Sequence, residues 1–186
     1  MQEIKVWDLL VRVLHWLLVA AVLGAWLTRD GEDPRHLQLG YIALAVVAMR
    51  VAWGFIGSRH ARFADFMRSP RATITYLQEV ITRREPRHIG HNPLGGWMIV
   101  MLLATVAAIC VTGWLYTTDA YWGVAWVGEL HEGLTDVLIV LVMLHVLGVV
   151  FTSIRQRENL VKAMLTGKKA PEVAAKANER VHASGG

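Results

Sequence analysis

The chain has 186 residues, of which 54% are hydrophobic, and its formal net charge is +4. This composition is too apolar for an ordinary soluble domain and is typical of a membrane protein. The charge does not indicate nucleic-acid binding, because the basic residues lie between apolar segments rather than in one patch. The single cysteine, Cys110, excludes an intrachain disulfide and a thiolate-rich metal site.

Four apolar segments are each long enough to cross a bilayer as a helix. The first shares features with a signal peptide, since Lys5 and Arg12 precede its apolar run and small residues lie near Gly24 and Ala25. We interpret it as a transmembrane helix. The sequence thus predicts membrane helices over about residues 6–27, 34–57, 93–118 and 129–154.

The connection between the second and third segments, residues 58–92, is long and basic. Part of it, residues 69–84, is typical of an amphipathic helix, because Ser69 is a suitable N-cap and Pro70 fits the first helical position. One face of this helix is apolar and is formed by Ile74, Leu77 and Ile81. We expect this helix to lie along the cytoplasmic membrane surface.

The distribution of basic residues predicts the orientation of the helices. Residues 58–92 and the stretch from Arg155 onward are rich in Lys and Arg, whereas the two opposite loops share only Arg29 and Arg35. The positive-inside rule then places both termini and the long connection in the cytoplasm. We expect an all-α membrane protein: one domain, residues 1–168, folded as a four-transmembrane-helix bundle, followed by a disordered tail over 169–186.

Four histidines lie at matching depths in this topology. His131 and His145 are fourteen residues apart, so on one helix they share a face and are separated by ~21 Å, most of the ~30 Å hydrocarbon layer. The opposite directions of the helices bring His15 to the depth of His145, near the cytoplasmic side. They bring His36 to the depth of His131, near the external side. The pattern predicts two bis-histidine sites.

Paired imidazoles without nearby thiolates or carboxylates favour haem iron over a zinc or di-iron centre, which would need further ligands. Acidic side chains could supply such ligands only at the external pair. Arg50 lies fourteen residues after His36, and we interpret it as a partner for a haem propionate, because a cation within the membrane needs an anion. Arg12 is a similar candidate, and Gly40 could let a porphyrin approach the backbone. The alternatives are snorkelling to the interface for the arginines and helix packing for the glycine.

The other histidines carry weaker signals. His91, just before Pro93, could line a quinone site or bond a propionate. His60 and His88 lie in the cytoplasmic connection, where we expect them to be solvated. His182 lies in the predicted tail and carries no prediction.

Three stretches of the sequence resemble the bacterial cytochrome b561 family, which includes the cytochrome b subunits of nickel-iron hydrogenases. They are WDLLVRVLHW, HLQLGYIALAVVAMRVAWG and LHEGLTDVLIVLVMLH, within a resemblance that covers roughly residues 5–165. The resemblance implies two non-covalent b haems with His15, His36, His131 and His145 as axial ligands. It also implies electron exchange between the quinone pool and a partner in the bacterial inner membrane.

We therefore expect a multi-pass di-haem cytochrome b, an electron-transfer subunit of the respiratory chain. Its expected partners are membrane lipid, quinone and a periplasmic protein, either a c-type cytochrome or a dehydrogenase or hydrogenase; a homodimer is left open. One alternative is a stand-alone quinone-linked oxidoreductase, for example one that oxidises superoxide. A second is a haem-free transporter or scaffold with four buried histidines.

Overall fold

The computed structural model describes residues 4–29, 33–86, 88 and 90–169. These residues form seven α-helices and one two-stranded antiparallel sheet. The helices are α1 (Leu9–Leu27), α2 (Pro34–Ile56), α3 (Phe63–Phe66), α4 (Pro70–Ile81), α5 (Pro93–Tyr116), α6 (Ala125–Gln156) and α7 (Leu160–Thr166). The strands are β1 (Ile4–Lys5) and β2 (Lys168–Lys169), and a 3-10 turn covers Arg59–Ala61.

Within the described residues, α1, α2, α5 and α6 are long and apolar enough to cross a membrane. The predicted fold class, an all-α membrane protein with four spanning helices, is confirmed. The first of these helices begins at Leu9 rather than near residue 6, because the Asp8 carboxylate caps it and accepts a hydrogen bond of 2.8 Å from the Val11 amide.

The other helix starts follow the same local chemistry. Asp33 and Asn92 cap α2 and α5 through their side-chain oxygens, and each is followed by a proline in the first helical turn. Ser69 caps α4 in the same way and precedes Pro70. Proline suits this position because its missing N–H would have no partner there.

Helix α6 has 32 residues and begins four residues before the predicted start at 129. Neither proline nor a charged side chain interrupts residues 124–128, so the helix continues back to Val124, which caps it without a side-chain hydrogen bond. It ends at Arg157, which adopts a left-handed conformation with φ of 50°. Both His131 and His145 therefore lie on one unbroken helix.

The spanning helices pack as α1 against α2, α2 against α5 and α5 against α6. One apolar cluster in the middle of the bundle joins all four and consists of Ala21, Ala43, Val47, Leu103, Val106 and Leu138. Leu138 lies seven residues from His131 and seven from His145, so this core separates the two ends of α6 that carry the histidines.

We call the end of the bundle with the β1–β2 sheet the sheet end, and the end with the loops after α1 and α5 the loop end. At the sheet end, Ile4 pairs with Lys169 and Lys5 with Lys168, and the Gly167 carbonyl accepts hydrogen bonds from the Val6 and Trp7 amides. Lys169 was predicted to begin the disordered tail, but it is only 8% exposed. The rest of that tail, 170–186, lies outside the described residues.

Candidate functional site

His36 on α2 and His131 on α6 face each other near the loop end. Their ring centres are 6.2 Å apart and their planes are inclined at 72°. Two metal–imidazole bonds of about 2 Å, together with ~1.1 Å from each nitrogen to its ring centre, would hold two rings about 6 Å apart across one ion. The spacing of this pair matches bis-histidine ligation of a single iron.

Each of these rings is held by a backbone carbonyl of another helix. His36 Nδ1 lies 2.9 Å from the Ala25 carbonyl oxygen of α1, and His131 Nδ1 lies 3.0 Å from the Ile109 carbonyl oxygen of α5. A carbonyl only accepts, so these contacts assign the hydrogen to Nδ1 of each ring. The lone pair of Nε2 then remains available, which is the arrangement that metal-binding histidines adopt.

The second pair lies toward the sheet end. His15 in the second turn of α1 and His145 on α6 are close enough that a charge on one ring acts on the other. The ring of His15 also contacts Trp16 edge to face, with ring centres 5.2 Å apart. Both histidines are half-buried. The structure thus brings the rings of His36 and His131 together, whereas His15 and His145 are related by a charge interaction, so the pairing of these two stays a prediction.

No cluster of three or more His, Cys, Asp or Glu side chains that could hold a metal ion occurs in the part of the chain that the structure describes.

Arg50 is buried, with 7% of its surface exposed, although it lies on a membrane-spanning helix. Its Nη2 donates to the Ala61 carbonyl oxygen at 3.2 Å, and its guanidinium lies 5.5 Å from the centre of the Phe63 ring. Nη1 is buried and has no hydrogen-bond partner. A buried guanidinium with an unused donor fits an anion at this end of the bundle.

Arg12 has a different environment. Its Nη2 donates to the carbonyl oxygen of Leu165, so the side chain ties α1 to the last turn of α7. A Cβ at Gly167 would lie 3.1 Å from Arg12 Nη1, so glycine allows this close approach. Arg12 Nε is buried without a partner. The guanidinium therefore holds α1 against the end of α7, and its Nε–H remains an unused donor.

Gly40, one turn after His36, leaves open space, because a Cβ placed there would meet no atom within 4 Å. The same is true of Gly133 and Gly148 on α6. Close helix packing therefore does not explain these three glycines within this chain. Room beside the backbone near a histidine ligand is what a flat macrocycle would require.

His91 lies at the sheet end in a cluster of aromatic rings. Its ring centre is 4.3 Å from that of Trp7 and 5.0 Å from that of Phe66. Burial lowers its pKa to about 3, and the nearby charges of Arg50 and Lys169 act in the same direction. Nδ1 is buried without a hydrogen-bond partner. The imidazole is therefore neutral and has an unused nitrogen.

The remaining histidines of the long connection have ordinary partners. His60 Nδ1 lies 3.1 Å from the Asp65 carboxylate, and His88 Nδ1 lies 3.1 Å from the Pro86 carbonyl oxygen. His88 also lines an open cleft of about 530 Å³ beside α4, which none of the four paired histidines lines.

The sequence did not single out Thr112 and Gly113, which contact His131 from α5. Thr112 Oγ1 lies 3.2 Å from His131 Nδ1, and a Cβ at Gly113 would lie 3.0 Å from His131 Cε1. The only signal was a polar residue beside a small one within an uncharged helix. That pattern is common in membrane helices and does not reveal the partner.

Comparisons with known proteins agree with this arrangement. Residues 6–167 match the family model described as prokaryotic cytochrome b561. A protein of Rhizobium leguminosarum bv. viciae named "Probable Ni/Fe-hydrogenase B-type cytochrome subunit" is 27% identical, over 90% of this chain and 89% of that protein. Proteins of the same name from Cupriavidus necator and Rhodobacter capsulatus are 27% and 24% identical, over 87% and 90% of this chain and 85% and 81% of theirs.

No solved structure gives a significant match to the chain. The family model spans nearly all of the described bundle, including the four paired histidines. The predicted resemblance is therefore confirmed. The chain belongs to the prokaryotic cytochrome b561 family, multi-pass b-type cytochromes of the bacterial inner membrane that act in electron transfer.

Proposed function

We propose that the protein is a di-haem cytochrome b that carries electrons across the inner membrane between the quinone pool and a periplasmic redox partner. In this proposal His15 and His145 bind one haem b near the cytoplasmic side, and His36 and His131 bind the other near the periplasmic side. The observation that carries it is the 6.2 Å spacing of the His36 and His131 rings, each held through Nδ1 by a helix carbonyl.

Several features of the chain fit the haem groups. The open space beside Gly40 offers room for a macrocycle next to His36. Arg50 offers a buried donor for a propionate of the haem near the sheet end, and Arg12 Nε is a second donor there. Family membership argues against the haem-free transporter or scaffold, because the family consists of b-type cytochromes.

The orientation in this proposal rests on charge. The sheet end carries the basic 58–92 connection and the basic segment after α6, so we assign it to the cytoplasm. The loop end then faces the periplasm. Both chain termini are cytoplasmic in this arrangement.

When bound, haem iron supplies reversible one-electron chemistry. The two histidine pairs would hold such groups toward the two ends of the bundle, with apolar side chains between them. The apolar cluster around Leu138 fills the middle of the bundle. Carbonyl bonds to Nδ1 keep His36 and His131 in the tautomer that would leave Nε2 free to bind iron, and they hold both rings in place.

We place the quinone at the sheet end, beside His91. Its unpartnered Nδ1 is a buried polar atom that a quinone oxygen could hydrogen-bond, and the rings of Trp7 and Phe66 offer a flat apolar surface. Arg50 lies close enough to influence His91 and carries a free donor. Such a site would also serve a stand-alone quinone-linked oxidoreductase, the second candidate function.

Two observations suggest the class of the periplasmic partner: the names of the relatives and the charge of the loops at the loop end. Curated relatives are named as B-type cytochrome subunits of Ni/Fe-hydrogenase, so a hydrogenase is one candidate partner. The loops at the loop end are acidic, which would also favour a basic c-type cytochrome or dehydrogenase. The rate of electron exchange with a c-type cytochrome, measured over a series of salt concentrations, tests the role of charge. A rate that falls with rising salt supports a basic partner, and a rate independent of salt opposes it.

The test of the proposal is the haem content of the detergent-purified protein by pyridine haemochrome assay, with dithionite-reduced spectra. The parent should hold about two b haems per chain, falling toward one in His36→Ala and in His145→Ala. A parent without haem overturns the proposal. Quinone-dependent turnover by the isolated subunit would favour the second candidate over a relay subunit.

A further inference from the structure

We propose that Thr112 and Gly113 of α5 position His131, so that a helix without any haem ligand sets the reduction potential of the haem at the loop end. The inference rests on the proposed function, because it takes His131 as an iron ligand. It assigns a role to two residues outside the histidine pairs and the arginines.

The first step is the protonation of His131. Its Nδ1 lies 3.0 Å from the Ile109 carbonyl oxygen and 3.2 Å from Thr112 Oγ1. The Thr112 hydroxyl has one hydrogen, and the Ala108 and Ile109 carbonyls lie 2.9 and 3.0 Å from its oxygen to receive it. Thr112 therefore accepts from His131 Nδ1–H. The imidazole donates one hydrogen to two acceptors.

The second step is access to the carbonyl. Carbonyls inside a helix are normally screened by side chains of the following turn. Gly113 follows Ile109 by one turn, and a Cβ there would lie 3.0 Å from His131 Cε1 and 3.3 Å from Nδ1. These distances are shorter than ordinary carbon contacts, so the ring would have to move by a few tenths of an ångström. Gly113 is what lets the ring reach the Ile109 carbonyl.

The third step connects the hydrogen bonds to iron. Acceptors on the distal nitrogen of a histidine ligand increase the electron density at the nitrogen that binds metal. This favours ferric over ferrous iron and lowers the reduction potential. Thr112 is only 6% exposed, so water cannot replace its hydroxyl easily. Loss of the hydroxyl should therefore raise the potential of one haem.

The experiment is a redox titration of the purified parent, Thr112→Val, Thr112→Ser and Gly113→Ala, with haem content measured on the same samples. Gly128→Ala is the matched control, because it lies on α6 one turn before His131 and its Cβ would make an ordinary 3.6 Å contact with Tyr116. The haem near the sheet end serves as an internal reference.

Thr112→Val should keep two haems and shift one potential to more positive values, whereas Thr112→Ser should match the parent. Gly113→Ala should shift the same haem at least as far or lose it, and Gly128→Ala should do neither. Either of two results would overturn this inference and leave the proposed function intact. One is an unchanged reduction potential in Thr112→Val, and the other is the same haem content and potentials in Gly113→Ala as in Gly128→Ala. A parent without haem overturns it together with the proposed function.

Discussion

The imidazole of His36 and that of His131 meet at 6.2 Å with their planes inclined at 72°, and each is bonded to a helix other than its own. Ala25 of α1 holds the first ring and Ile109 of α5 holds the second. All four spanning helices therefore contribute to this one pair: two through side chains and two through carbonyl oxygens. Backbone carbonyls therefore orient both rings, and Thr112 adds a side-chain contact to His131.

The inclination of these two rings predicts a spectroscopic signature. Nearly perpendicular axial imidazoles leave two iron d orbitals close in energy, and a low-spin ferric haem then shows a strongly anisotropic EPR signal. If the proposed pair His36 and His131 binds a haem, we expect that haem to show this signal and His131→Ala to abolish it. A purely rhombic spectrum, typical of parallel ligand planes, would contradict the ring geometry.

Replacing Arg50 should change a haem potential. Its buried positive charge favours the ferrous state of a nearby haem, so Arg50→Gln should lower the potential of the haem near the sheet end. Arg50→Lys keeps the charge and should fall between the parent and the glutamine variant. Redox titration with haem quantification measures this. An unchanged potential in Arg50→Gln would show that Arg50 does not act on a haem and only hydrogen-bonds the Ala61 carbonyl.

Replacing Arg12 should act on stability instead. Its guanidinium donates to the Leu165 carbonyl, so Arg12→Gln should loosen the end of α7 from α1 and lower the free energy of unfolding by about 1–2 kcal/mol. The measurement is thermal unfolding in detergent, with Arg62→Gln in the long connection as a control. A potential shift in Arg12→Gln as large as that of Arg50→Gln would show that Arg12 acts on haem rather than on the fold.

The features that could be predicted from the sequence are those that depend on the spacing of residues along a helix and on the order of the helices. Four long apolar segments predicted four spans, and matching depths predicted the meeting of His36 and His131, because helix geometry relates spacing to position directly. The burial of Arg50 also followed from its position within an apolar segment. These properties belong to single helices and to their order in the chain.

Contacts between helices could not be predicted in the same way. The anchoring carbonyls of Ala25 and Ile109 are backbone atoms, which leave no trace in residue type. The β1–β2 pairing joins residues near opposite ends of the chain, and its strands have only two residues each, too few for an alternating pattern. The early start of α6 was missed because a glycine and two tryptophans near 122–126 are also typical of an interfacial loop.

The exposed face of α4 should rest on the membrane. Ile74, Leu77 and Ile81 are 58%, 43% and 72% exposed, while Tyr76 on the adjoining face is buried against the bundle. The segment before α4 is tied to the first turns of α5, since Trp97 Nε1 donates to the Arg68 carbonyl oxygen. This contact places α4 level with the start of a spanning helix.

Spin labels introduced into a Cys110→Ala background in lipid vesicles can test this position of α4. Labels at residues 74 and 81 should be relaxed by oxygen dissolved in the bilayer, and labels at residues 72 and 75, on the other exposed side of the helix, by a water-soluble nickel complex. Equal accessibility of both sets to the nickel complex would show that α4 stands away from the lipid.

Acid should destabilise the sheet end through His91. Its pKa is lowered to about 3 in the folded protein, whereas an unfolded histidine titrates near 6.5. Between these values the unfolded chain binds a proton that the folded chain does not. The contribution of neutral His91 to the free energy of unfolding is therefore fully present above about pH 6.5. It is lost as the pH falls toward 3, by at most about 1.4 kcal/mol per pH unit.

The effect can be isolated with His91→Phe, which keeps a ring against Trp7 and Phe66 but cannot titrate. We expect the unfolding temperature of the parent in detergent to fall between pH 6.5 and pH 4, and the slope to be reduced in His91→Phe. His88→Gln, which removes a histidine outside this cluster, is the control and should keep the parental slope. If His91→Phe loses as much stability with acid as the parent, the burial of a neutral imidazole at this position is not what makes the sheet end sensitive to pH.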